Sequence, residues 1–206
     1  MSKNALIVAA KTGKVDDIST LVRAGVNPNG ADEEGNTPLI AASAAGQKSA
    51  VNALVDLGAD VQGRGKGGMT PLLAATAMRH LEVVQLLLSR GADVNAENEE
   101  GLTALMFAAK IGPPQAVAVL LRGGAVVNHQ SREGMTALMQ AARGQNIPIV
   151  KMLLDAGANP RTRDSLNRRA HHYARERGEP GPVLQRLLGT GLEGAAKRPW
   201  WRFWES

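Results

Sequence analysis

The sequence predicts an all-α solenoid: stacked helix-turn-helix repeats with projecting β-hairpin loops. Three observations carry that prediction. A glycine recurs every 33 residues at Gly35, Gly68, Gly101 and Gly134, and each opens a related phrase, from Gly35-Asn-Thr-Pro-Leu to Gly134-Met-Thr-Ala-Leu. A second series, Gly25, Gly58, Gly91, Gly124 and Gly157, keeps the same spacing. Finally, 44% of the 206 residues are hydrophobic but only 3% aromatic, so the core must be Leu, Val, Ala and Met rather than stacked rings.

Each element of the unit follows from its residues. Thr37, Thr70, Thr103 and Thr136 occupy the position of a helix N-cap, and Pro38 and Pro71 follow in the favoured first-turn slot. A short Ala-rich helix comes next and breaks at Gly13, Gly46, Gly112 or Gly178. A second helix then carries Ile18/Leu21/Val22, Val51/Leu54/Val55, Val84/Leu87/Leu88, Val117/Leu120/Leu121 and Val150/Leu153/Leu154, whose spacings of three and four fall on one face. The Gly25 series closes that helix where φ is positive. The remaining residues, such as Gly91-Ala-Asp-Val-Asn95, must turn the chain into the next unit. Neither helix is long enough to be stable alone, so the unit stands only when neighbours bury its leucine face.

The period, the Thr-Pro-Leu phrase, the paired Ala-Ala, His80-Leu-Glu-Val-Val84 and Gly91-Ala-Asp-Val-Asn95 closely resemble ankyrin repeats. The resemblance covers residues 1–190 and implies six repeats, at about 1–31, 32–64, 65–97, 98–130, 131–163 and 164–190, the first and last acting as caps. A linker and a Trp-rich basic tail fill 191–206. Two departures stand out. The family places His after Thr-Pro-Leu, where it hydrogen-bonds between repeats. Here Ile40, Leu73, Met106 and Met139 take that place and only His172 keeps it, so a thinner inter-loop polar network compensated by apolar packing is expected. In the last repeat Arg169 replaces the capping Thr and Glu179-Pro-Gly-Pro182 adds a residue, shifting the apolar set to Leu184/Leu187/Leu188 and the closing glycine to Gly191.

The sequence carries no constellation of catalytic residues. With 0 Cys there is no disulfide, thiolate zinc site or thiol nucleophile. Gly63-Arg-Gly-Lys-Gly-Gly68 lacks the Walker pattern and falls at a hairpin tip, where Gly65 in place of Asp32 and Asp164 predicts a more mobile finger. Adjacent His171 and His172 diverge by about 100° on a helix and do not share a metal. Glu33-Glu34 and Glu99-Glu100 are paired carboxylates at solvated fingertips, without the burial that splits pKa values. No enzyme, cofactor or metal is expected. The short apolar run ended by Lys11 lies at the lower limit for a signal-peptide core with no cleavage site after it, so a cytoplasmic monomer is expected.

A non-catalytic module that binds a partner protein is the expected function, on a concave face of hairpin tips and first helices. By the resemblance, recognition uses positions that vary between repeats. In the second repeat these are Glu33, Glu34 and Asn36, and in the second-to-third hairpin and third repeat Arg64, Lys66, Met69 and Met78. The fourth repeat supplies Glu99, Glu100, Leu102, Lys110 and Ile111, and the fifth Arg132, Glu133, Met135 and Arg143. Met69, Leu102 and Met135 sit 33 apart and should form an exposed apolar ladder. Residues 1–103 hold 9 Lys+Arg against 12 Asp+Glu and residues 104–206 hold 15 against 7, so the back half is basic. The alternative is therefore an adaptor on a membrane surface or nucleic acid, held by the basic last repeat and the tail residues Trp200, Trp201, Phe203 and Trp204. Nucleic acid is the less favoured ligand, since within the basic section from 161 to 202 stacking residues outside the tail are limited to Tyr173. For the tail, a lid over the last repeat, a docking peptide and a membrane contact all remain open.

Overall fold

A computed structural model of the protein describes residues 3–176, 178 and 180–189. Among them are twelve α-helices, which follow one another as short pairs: α1 (Lys3–Thr12) with α2 (Val15–Arg23), α3 (Pro38–Ala44) with α4 (Lys48–Asp56), α5 (Pro71–Ala77) with α6 (Leu81–Ser89), α7 (Ala104–Ile111) with α8 (Pro114–Arg122), α9 (Ala137–Arg143) with α10 (Ile147–Asp155), and α11 (Ala170–Arg175) with α12 (Pro182–Leu187). The chain forms two compact units, Met1–Val126 and Val127–Ser206. In the first, α1, α3, α5 and α7 pack as a row and α2, α4, α6 and α8 as a second row behind it. In the second, α9 packs on α11 and α10 on α12. Within each unit the architecture is the all-α repeat stack that the 33-residue period predicts.

The core is the leucine face read from the sequence. Ile18, Val51, Leu54, Leu87, Val117, Leu120, Val150 and Leu153 are all at 0% exposure. The third member of each triplet (Val22, Val55, Leu88, Leu121 and Leu154) is half-buried, because it lies at the edge of the stripe. Each fully buried aliphatic side chain is worth about 1.5–3 kcal/mol and a cap only about 1 kcal/mol, so packing between rows holds the stack and the caps set where helices begin.

Those caps form at three of the four threonines. The Oγ1 atoms of Thr37, Thr70 and Thr136 accept from the N–H of Ile40, Leu73 and Met139, each at 3.3 Å. Thr103 differs: its side chain makes no cap bond, and its residue instead forms a lone antiparallel bridge with Glu97. At the final unit, which lacks the Thr, His172 Nδ1 accepts from the Arg169 N–H (3.0 Å), so the third helical residue satisfies the donor of the N-cap residue instead. To do so its ring turns back along the helix and lies against His171 with centroids 3.9 Å apart, not divergent as helix geometry alone suggested.

The break between paired helices is also made differently from the sequence reading. Gly13 and Gly46 have positive φ (74° and 71°), and in the same register Arg79 and Gln145 adopt φ 64° and 50° without being glycine. Gly112 does not follow: its φ is −79° and Pro113-Pro114 opens α8. At Gly46 a side chain is excluded twice over, since a Cβ would also sit 2.5 Å from His80 Nδ1. His80 Nε2 in turn donates to the Ala44 carbonyl (3.1 Å).

The second glycine series does close the second helices, at φ between 84° and 90°. In the last pair that role falls to Gly189 (φ 77°), not the Gly191 expected, because α12 has 6 residues where the other second helices have 9. Gly191 and the tail residues Trp200, Trp201, Phe203 and Trp204 lie outside the described residues.

Candidate functional site

The loops expected as β-hairpins are tight reversals. Their first residue donates its N–H to the carbonyl of the fifth: Asp32 to Asn36, Gly65 to Met69, Asn98 to Leu102, Ser131 to Met135, Asp164 to Arg168, at 2.8–3.1 Å. Among the described residues they add no strand beyond the bridge at Glu97. The leading side chain ties the turn as well. Asp32 Oδ1 accepts from the N–H of Glu34 and Asn36, Asn98 Oδ1 from Glu100 and Leu102, and Asp164 Oδ1 from Leu166 and Arg168. Gly65 has no side chain to do this, yet the finger expected to be loose is tied at two points to the following turn. Gly67 accepts from the Glu99 N–H at 2.8 Å, and Arg64 Nη1 reaches the Glu97 carbonyl at 2.8 Å. A Cβ on Gly65 would meet Ile40 Cδ1 at 2.9 Å and the Gly35 carbonyl at 3.0 Å, so glycine here permits close stacking of neighbouring turns.

A polar network joins successive loops, contrary to the thinning expected from the missing histidines. One amide side chain per period carries it. Asn29 Oδ1 accepts from the Asp60 N–H (2.7 Å) while its Nδ2 donates to the Gly58 carbonyl (3.2 Å). Gln62 does the same to Asp93 and Gly91, and Asn95 to Val126 and Gly124. In the second unit Asn128 bonds Asn159 and Gly157. An amide is one acceptor and two donors on one short arm, which is what this pairing needs. Residue 161, the next in register, is Arg161, which can only donate. The positions after Thr-Pro-Leu are indeed apolar and buried, with Ile40 at 4% and Leu73 at 0% exposure. The signal for the amide row, at residues 29, 62, 95 and 128, was present in the sequence and was not read.

The candidate recognition residues divide by unit. In the first, Glu33, Glu34, Arg64, Lys66, Glu99, Glu100 and Lys110 are exposed, and Asn36 is half-buried with its N–H on Asp32. Met78 is 58% and Ile111 43% exposed, one at the end of α5 and one at the end of α7, 33 residues apart. Met69 and Leu102 are half-buried. In the second unit Arg132 and Glu133 are exposed, and Arg143 Nε pairs with Glu176 Oε2 at 2.7 Å. Met135 is only 6% exposed. The apolar ladder through Met69, Leu102 and Met135 is therefore not an exposed one: the residue before each cap sits at the foot of its turn, where its carbonyl closes the reversal and its side chain folds inward.

Sequence reasoning missed a charged cluster in the second unit. Asp164, 8% exposed, accepts from Arg168 Nε (3.0 Å) and from the Tyr173 hydroxyl. The Arg168 guanidinium lies over the Tyr173 ring at 4.5 Å and also reaches Glu176 at 3.5 Å. Burial pushes the Asp164 carboxyl up, but the bonds from Tyr173 and Arg168 outweigh it and hold the group below its ordinary range. Burial and the bond to Asp164 push the Tyr173 phenol up to about 12. The cluster is a structural clasp around α11, with its acid occupied on both oxygens.

Among the described residues no group of three or more His, Cys, Asp or Glu is placed to hold a metal ion. No helix among them is long and apolar enough to cross a membrane. A family model described as ankyrin repeats, with three copies, matches residues 6–98 and 92–164. No curated protein matches the chain.

Proposed function

Because the chain belongs to the ankyrin-repeat family, whose repeats generally serve protein–protein interaction and are typically non-enzymatic, we propose that it binds a protein partner through its hairpin tips and first helices. Within the first unit the proposed contact centres on Met78 and Ile111, rimmed by the tip charges of Glu33, Glu34, Lys66, Glu99 and Glu100. The observation that carries this reading is the exposure of Met78 and Ile111, at 58% and 43%. The equivalent position of the α3 pair is Ala45, and large apolar side chains left in water at a repeated position are best explained by a surface that another molecule covers. The flanking charges supply register and steering.

The reading is tested by quantitative affinity purification with the intact chain and with Met78→Asp plus Ile111→Asp. Loss of captured protein at unchanged thermal stability is expected. An unchanged set of captured proteins would rule out this surface. A second reading, attachment to an anionic surface, draws on Arg161, Arg175 and Arg186. All three are exposed and none pairs with a carboxylate among the described residues. Binding to anionic but not neutral vesicles, lost on deleting 195–206, would favour it.

A further inference from the structure

We propose that the open side of the first helix pair is a self-association surface, through which two copies of this chain meet around a two-fold axis. The surface is a groove of about 520 Å³ between α1 and α2, lined by the apolar Ala5, Val8, Ala9 and Leu21 together with Asn4, Thr20, Lys14 and Asp17. Val8 stands 60% exposed beside Ala9, which is 4% exposed, so a branched apolar knob lies next to a floor of small residues. Inside the first unit this side of every later pair is covered: α1 and α2 lie against α3 and α4, α3 and α4 against α5 and α6, and so on. The groove continues an interface that the chain makes repeatedly.

The loop beside the groove is open in the same way. Gly58 and Asp60 spend their carbonyl and N–H on Asn29. The equivalent Gly25 carbonyl and Asn27 N–H have no partner among the described residues.

A second copy is the occupant that this chemistry fits, because the surface complements itself. It carries both a knob and a floor of small side chains. It also carries both charges, Lys14 Nζ and Asp17 Oδ2 lying 4.0 Å apart, and both a carbonyl and an N–H without a partner among the described residues. A two-fold axis presents each of these to its opposite, Lys14 to the partner copy's Asp17 and Val8 to the partner copy's alanine floor. The area on offer is small, so the dimer is weak and dilute protein is monomeric.

The test is sedimentation equilibrium of the full chain over a micromolar-to-millimolar series. A mass rising from monomer to dimer is expected. Val8→Glu should weaken association about tenfold or more, since it replaces a buried valine with a charge. Its thermal unfolding in dilute solution should be unchanged, because Val8 contributes little to the monomer's core. Asp17→Lys should also weaken the dimer, and Lys14→Asp combined with Asp17→Lys should restore it. A monomer at every concentration would overturn the proposal, as would association indifferent to Val8→Glu or not restored by the double reversal. The 3 tryptophans all lie at 200, 201 and 204, so their emission reports on the tail alone. An emission shift with Val8→Glu at constant monomer mass would make the chain's own tail the occupant and equally overturn it.

Discussion

Among the described residues the first and last helix pairs each pack against one other pair, and their sequences stand in opposite relation to the interior pattern. The α1/α2 pair follows the interior pattern closely, with Ile18 at 0% exposure and an Ala-rich first helix, and so keeps the interior's apolar side and shows it to water. The α11/α12 pair departs from the pattern. Tyr173 stands where α3 and α5 have Ala41 and Ala74, and it is clasped by Asp164 and Arg168. In the loop before that pair, Arg161 takes the register position of the amide row and can only donate. The exposed apolar side of the α1/α2 pair is the surface proposed above for a second copy.

The largest effect should come from opening the clasp. Asp164→Ala leaves the Tyr173 hydroxyl and two backbone N–H groups without their acceptor, and a loss of about 3 kcal/mol in urea unfolding is expected. Asp32→Ala, in the same register of an earlier hairpin whose leading residue is half-buried, should cost about 1 kcal/mol. Equal losses would mean that the last pair is not specially held.

The same clasp sets a pH dependence at both extremes. The folded phenol at about 12 lies above its ordinary value near 10, so the folded state binds that proton more tightly. Its contribution is complete below about pH 10 and is lost as pH rises through about 12. Asp164 is held below 3.8, so its contribution is present above that value and lost as pH falls through the lowered one. The chain has 1 tyrosine, so tyrosinate absorbance follows the alkaline step directly, and Asp164→Asn should return the midpoint toward 10.

Smaller effects separate the amide row from its terminus. Gln62→Ala removes the partner of both the Asp93 N–H and the Gly91 carbonyl, both at the surface, and should cost about 1 kcal/mol. Arg161→Ala should stay within about 0.5 kcal/mol of the parent in the same urea titration, since its exposed guanidinium bridges no loop among the described residues. The smallest contrast is between caps: Thr136→Ala should cost about 1 kcal/mol and Thr103→Ala less, because only the first accepts a helical N–H.

The frame was legible in the sequence because glycine, threonine and leucine at fixed intervals each answer to local physics: a positive φ, an orphan N–H, a shared helix face. The departures answer to neighbours. Arg79 and Gln145 adopt the left-handed turn because the paired helices around them impose it. Thr103 forgoes its cap bond where its loop forms a bridge instead. Met135 is drawn inside by the foot of its turn, so equal spacing with Met69 and Leu102 did not mean equal exposure. The amide row was visible as residue identity but not as a bond, because its partners lie 29 and 31 residues away. Of the proposed recognition residues, Met78 and Ile111 are distinguished only once their exposure is known.

Amide hydrogen exchange, compared between the protein alone and the protein bound to its captured partner, tests the interaction face most directly. Slower exchange is expected in the turns at 65–69 and 98–102 and at the ends of α5 and α7, repeating at a spacing of 33 residues, with α4, α6 and α8 unchanged. Protection confined to those second helices, with the turns unaffected, would contradict it.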